Sequence, residues 1–278
     1  MSASSYAAPR AGRRDRVAHQ LRVLRVIAGV EFKLKYADSA MGYVWSIVKP
    51  LSYFGVLWLV FGRIFRLGVG FDRYPLYLLT GIVLYTFFVD ATGLTFPSIV
   101  KGSTILRKLA FPPLVIPVSA TLTAGITFCI NLVAVLVFVF ASRVTPDLRW
   151  FALVPLLLEL YVFVLGLGLI LSTLYVRFRD IAQIWELGTQ LLVFASPIMY
   201  PIGILPTWAT KLAYLNPLVQ VMQDVRAVMI GAANPNETIS SALGGPLARL
   251  IPIAIAVATL CVGFALFRRE SPRFSERV

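Results

Sequence analysis

Chemistry needs convergent polar side chains, and this sequence supplies few. It has one histidine, His19, and two cysteines, Cys129 and Cys261, each cysteine inside an apolar run and without metal-site spacing. No GxxxxGK[ST] loop is present to cradle a nucleotide phosphate, and no HExxH to hold a hydrolytic zinc. Asp90 and Glu159 are the acids that fall within long apolar segments. Ion-coupled carriers normally use more, and snorkelling or a local hydrogen bond explains each as well as a transport role does. The chain is expected to bind no cofactor and no metal, and to hydrolyse no ATP alone. What remains is cations at the edges of apolar segments and aromatic rings inside them, the side chains that meet phosphates, lipid headgroups, protein partners and sugar faces.

The elements that position them are dictated by hydropathy. Hydrophobic residues make up 58% of the chain and charged ones 14%, with a mean hydropathy of +0.80; soluble domains carry roughly 45–50% apolar and about 25% charged residues. The net charge of +13 lies mostly at the edges of apolar segments, where topology and anionic lipid account for it without nucleic acid. Apolar segments run from Ile47 to Phe65, Tyr74 to Phe96, Leu114 to Ala141, Trp150 to Tyr175 and Leu247 to Phe267, with a shorter one from Ile184 cut by Pro197 and Pro201. Pro50 is expected in the first turn of the first of these, where its missing N–H costs nothing. The fold class is therefore an all-α integral membrane protein with six transmembrane helices.

From Ile202 to Pro246 the apolar pieces are too short to span. Irregular backbone at membrane depth survives only where protein or a cavity satisfies it. This stretch is expected to be re-entrant or to lie at the outer interface, as a gate for an exit or a surface cap. Upstream, Val23, Ile27, Val30 and Leu34 make a helical apolar stripe, with Arg22, Arg25, Lys33 and Gly29 opposite, an interfacial amphipathic pattern. The organisation is a disordered basic tail (1–15), the interfacial helix and a turn (16–46), one six-span domain (47–267) and a cytosolic tail (268–278). Placing the N-terminus inside puts 18 of the 26 Lys and Arg residues on the cytosolic side, so both termini are expected there.

The flanks carry the distinctive motifs. Glu31 to Leu51 reads EFKLKYADSAMGYVWSIVKPL. This stretch resembles the N-terminal signature of the permeases of ABC exporters for polysaccharides and polyol phosphates, at Lys35, Tyr36, Ser39, Met41, Gly42, Tyr43, Trp45 and Pro50. Lys35 for Arg, Met41 for Leu and Lys49 for Asn are departures that loosen the motif. KGSTILRKLAFPPLVIP from Lys101 to Pro117 resembles the family's basic loop between spans two and three, and YVRFRDI from Tyr175 to Ile181 its turn between spans four and five. SPIMYP from Ser196 to Pro201, LNPL from Leu215 to Leu218 and the Asp224 to Arg226 region resemble its broken fifth span and re-entrant segment.

The resemblance implies a transport subunit and not an enzyme: a homodimer in a bacterial cell membrane, driven by two copies of a cytosolic ABC ATPase that hold the ATP and Mg, moving a lipid-linked polysaccharide of O-antigen, galactan or teichoic-acid type outward. It puts the ATPase contact at Lys101, Arg107, Lys108, Arg177, Arg179 and Asp180. Arg22, Arg25, Lys33 and Lys35 are candidates for the inner-leaflet surface or the pyrophosphate of a lipid-linked glycan. Tyr53, Trp58, Tyr77, Tyr85, Phe88, Phe194 and Tyr200 are candidates for aromatic stacking along a glycan channel. A drug or small-lipid exporter of the same architecture is the alternative reading. A membrane-embedded glycosyltransferase would need acids clustered on an aqueous face, and here they are scattered.

Overall fold

The computed structural model describes residues 22, 24, 26, 28–30, 32–33, 42, 44–66, 73–102, 112–231 and 238–274. Among these there is no strand. The helices are α1 (Val44–Leu57, continued by a π-helical turn, Trp58–Ile64), α2 (Tyr74–Thr95), α3 (Ser98–Lys101), α4 (Val115–Ala141) and α5 (Leu153–Arg177). They are followed by α6 (Ile181–Ala195), α7 (Thr207–Tyr214), α8 (Pro217–Ile230), α9 (Ile239–Leu243) and α10 (Leu250–Glu270). With their flanking turns, α1, α2, α4, α5 and α10 are each long and apolar enough to cross a bilayer; α6 is apolar but has only 15 residues. At about 1.5 Å per residue α6 falls short of a ~30 Å hydrocarbon layer unless the backbone beyond it continues the crossing.

One helix organises the rest. α2 is apolar all round and largely buried, packed by α1, α4, α5 and α8, whereas the other long helices leave most of their surface outside the protein. A helix hydrophobic on every side is what a bundle centre requires. Polar side chains pin it: the Thr95 and Thr121 hydroxyls meet at 2.9 Å between α2 and α4, and the Trp185 indole N–H donates to Thr92 Oγ1 at 3.1 Å between α6 and α2.

The α5 and α10 pair is built on small residues. A side chain at Gly166 would strike the backbone of Leu260, and one at Gly263 the Gly166 carbonyl. Bare backbones in contact gain close packing where lipid offers no hydrophobic drive to associate. α1 starts at Val44, so Pro50 sits inside the helix and not in its first turn as expected. Val44, Trp45 and Ser46 extend the helix upstream because a proline disrupts one turn of a helix without preventing its start. Further on, the Phe65 N–H reaches back to the Val60 carbonyl at 2.9 Å, the five-residue step of the π turn.

Candidate functional site

Polar groups gather at one end of the bundle, at the break after α6, and on the outward face of α6. At the end, Ile99, Ile116, Leu169, Val176, Phe267 and Phe274 form one buried cluster. It brings Lys101, at the close of α3, to the same end as Arg177, which closes α5, and as the last turn of α10. The turn between α5 and α6 is tight: the Phe178 N–H closes α5 on Leu174 at 2.7 Å, and the Ala182 N–H already returns to Arg179 at 3.2 Å. Arg179 stacks over Tyr175 at 4.9 Å, and Tyr175 meets Phe96 edge-on at 5.1 Å. That chain ties the turn to the end of α2. Arg177, Phe178, Arg179 and Asp180 are all exposed, so this elbow presents charge outward from a stiff base. Arg107 and Lys108 lie outside the described residues.

The break shows how buried backbone without helix is satisfied. After Ala195 the chain leaves helix, and its next carbonyls need donors from elsewhere. Arg226, 2% exposed on α8, donates through Nη1 to the Pro197 carbonyl at 2.7 Å, through Nη2 to that of Ile198 at 3.1 Å, and through Nε to that of Tyr77 at 3.0 Å. Its guanidinium lies 3.5 Å from the centre of the Tyr77 ring. The Tyr74 hydroxyl donates to the Met199 carbonyl at 2.6 Å, and the Tyr77 hydroxyl faces the carbonyls of Pro197 and Tyr200. Gly81 makes room, since a Cβ there would collide with the guanidinium. The Asn216 side chain caps α8 through the Leu218 N–H at 3.0 Å, and Pro217 follows at its first turn, so a capped, proline-started helix delivers Arg226 to the break.

α6 touches the rest of the chain through little more than Trp185, Thr189 and Val193, spaced i, i+4, i+8. Ile184, Leu187, Leu191 and Phe194 are each more than half exposed, and Gln183, Glu186 and Gln190 line an exposed polar strip at i, i+3, i+7. No group of three or more His, Cys, Asp or Glu side chains that could hold a metal occurs among the described residues.

Residues 22–230 match the family described as ABC-2 type transporter. The chain belongs to that family. It is similar to the O-antigen export system permease protein RfbA of Klebsiella pneumoniae, at 27% identity over 91% of this chain and 94% of that protein. A protein of the same name from Myxococcus xanthus is 25% identical over 89% and 92% of the two chains. The polysialic acid transport protein KpsM of Escherichia coli is 22% identical over 86% and 89%.

In this ABC-2 family member the aromatic candidates separate by burial. Tyr77, Tyr85 and Phe88 are interior: Tyr77 belongs to the clamp at the break, the Tyr85 hydroxyl donates to the Thr189 carbonyl, and Phe88 packs on Phe163 and Trp185. Tyr53 and Phe194 are exposed, Trp58 is half-buried beneath the Arg63 guanidinium, and Tyr200 is half-buried with its hydroxyl on the Phe194 carbonyl. Arg22 and Lys33 are exposed on a helical segment that meets α4 where the Thr123 hydroxyl donates to the Ala28 carbonyl, leaving Val26 and Val30 uncovered. Arg25 and Lys35 lie outside the described residues. The polar strip Gln183, Glu186 and Gln190 was missed, although three amide and acid side chains on one stripe of a short apolar helix were there to be read.

Proposed function

We propose that this chain is the membrane permease of an ATP-driven exporter that carries a lipid-linked polysaccharide of O-antigen, galactan or teichoic-acid type out of a bacterial cytosol. The observation that carries this reading is the face of α6 left uncovered by its own protomer. A polar strip of Gln183, Glu186 and Gln190 beside Phe194 suits hydroxyl-rich sugar, and the surrounding apolar residues need either a second protomer or lipid. Two copies would enclose a path between their α6 helices, with Tyr53, Trp58 and Tyr200 as further stacking surfaces. The relatives' names, O-antigen export and polysialic acid transport, support a glycan cargo over a drug or a small lipid.

In this reading α6 and the irregular backbone after it complete a sixth crossing, α7 and α8 form a re-entrant segment at the outer side, and both termini are cytosolic. Two ABC ATPase subunits, holding ATP and Mg, dock at Lys101, Arg107, Lys108, Arg177, Arg179 and Asp180. A stiff elbow at Arg177 to Asp180 transmits a push, because a partner shifts an equilibrium only through contacts that differ between its states. Arg22, Arg25, Lys33 and Lys35 meet the inner-leaflet headgroups and the pyrophosphate of the carried lipid. The test is deletion and complementation in the source bacterium. Loss of the chain should strip polymer from the surface and leave it in the cytosol, and Q183A/E186A/Q190A should restore little. Unchanged surface polymer on deletion rejects the cargo.

A further inference from the structure

A second polar site lies away from α6. A cavity of about 730 Å³ opens between α5, α8 and α10, and none of its lining residues belongs to α6. Its walls are aliphatic, including Leu158 and Val257, which are 60% and 48% exposed toward the outside of the bundle. Its floor is polar. Gln220 and Asp224, 1% and 0% exposed, sit one turn apart on α8, and the Gln220 amide donates to Asp224 Oδ2 at 2.8 Å. That bond fixes the amide orientation, since the opposite flip would set oxygen against carboxylate. Arg249 Nε reaches the same Oδ2 at 3.4 Å from the start of α10.

Three acceptors are left over. Gln220 Oε1, Asp224 Oδ1 and Glu159 Oε1 are buried without a hydrogen bond of ordinary geometry, while the Ile239 backbone N–H and Arg249 act on the Asp224 carboxylate as donors. Burial raises the Asp224 carboxyl above the ordinary carboxylate range, and Gln220 and Arg249 offset only part of that rise. Buried acceptors without donors are costly, so the site is short of hydrogen-bond donors. At its rim stand two guanidiniums, Arg249, half-exposed, and Arg149, exposed and paired with Asp147 at 3.5 Å.

We propose that this cavity binds a phospholipid with a primary ammonium headgroup, of the phosphatidylethanolamine class. The charge pattern matches it in order: an ammonium with three N–H donors for Glu159, Gln220 and Asp224, a phosphate for Arg249 and Arg149, and acyl chain along Leu158, Val162 and Val257. Its walls open to the side where lipid lies, so a free soluble amine would leave the aliphatic lining unfilled. Bound there, the lipid joins α8 to α5 and α10 and holds the helix that carries Arg226.

The experiment is native mass spectrometry and thermal unfolding of the full chain with its ATPase partner, titrated with lipids of identical acyl chains. Phosphatidylethanolamine should be retained about tenfold more tightly than phosphatidylcholine, whose quaternary nitrogen has no N–H, a difference that charge-assisted hydrogen bonds supply. Glu159→Gln should shrink that preference, and Leu158→Trp, which fills the cavity from its lipid side, should abolish retention. Equal retention of the two lipids by the unmodified complex overturns the proposal even if a variant fails to fold. So does a preference for phosphatidylglycerol, which would mark a hydroxyl ligand, or undiminished retention in a folded Leu158→Trp complex.

Discussion

Arg226 is the residue on which the break depends. Three of its N–H donors meet buried carbonyls and its guanidinium lies over a ring, so substitution removes three hydrogen bonds in a place water does not reach. Each buried carbonyl left without a donor costs about 1–3 kcal/mol, and Arg226→Leu should therefore lose roughly 3 kcal/mol or more. Thermal unfolding of the purified complex reads the loss. Arg226→Lys should recover only part of it, because one ammonium cannot reach three carbonyls spread over two elements. Gly81→Ala tests the same contact from the other side, with a cost of about 1–3 kcal/mol as the guanidinium is forced off its partners. The clamp was not legible beforehand. Arg226 read as one charge in a family-like stretch, and its partners at Pro197 and Ile198 acquire meaning only when the chain folds them against α2.

Helices were more legible than the faces they present. Hydropathy alone placed the ends of α2 and α4 within a residue or so, because Pro75 and the Phe111 to Pro113 run punctuate uniform apolar blocks. Which way Tyr77 or Phe88 points was hidden for the same reason: a helix apolar on every side has no stripe to orient it. α6 is the opposite case, since its three-residue contact stripe and its polar strip both have helical spacing. The α5 and α10 crossing gives a sharp element-scale prediction. Gly263→Val should separate the two helices and cost about 3 kcal/mol, whereas Gly93→Val, with open space around it, should be nearly silent. Monodispersity after detergent extraction distinguishes them. Equal behaviour of the two variants would mean that the crossing adds nothing.

At the scale of the whole molecule the prediction concerns sidedness and force together. The buried cluster around Ile99, Val176 and Phe267 sets Lys101, Arg177 and Arg179 at one end, while Ser142, at the close of α4, and Thr238, before α9, belong to the other. α4 holds 27 residues, about 40 Å at ~1.5 Å each, so the two ends lie on opposite surfaces of a bilayer. In a background with Cys129 and Cys261 replaced by Ser, cysteines at Ser142 and Thr238 should react with an impermeant maleimide in intact cells. One at Arg179 should react only after permeabilisation. Under the proposed function, force then arrives at the Arg179 end. R177E/R179E should leave the partner ATPase hydrolysing ATP at or near its unstimulated rate while export falls at least about tenfold, a change of roughly 1.4 kcal/mol in coupling. Coupled export in that variant would move the contact elsewhere on this face, and labelling of Arg179 from outside would invert the molecule and with it the direction of transport.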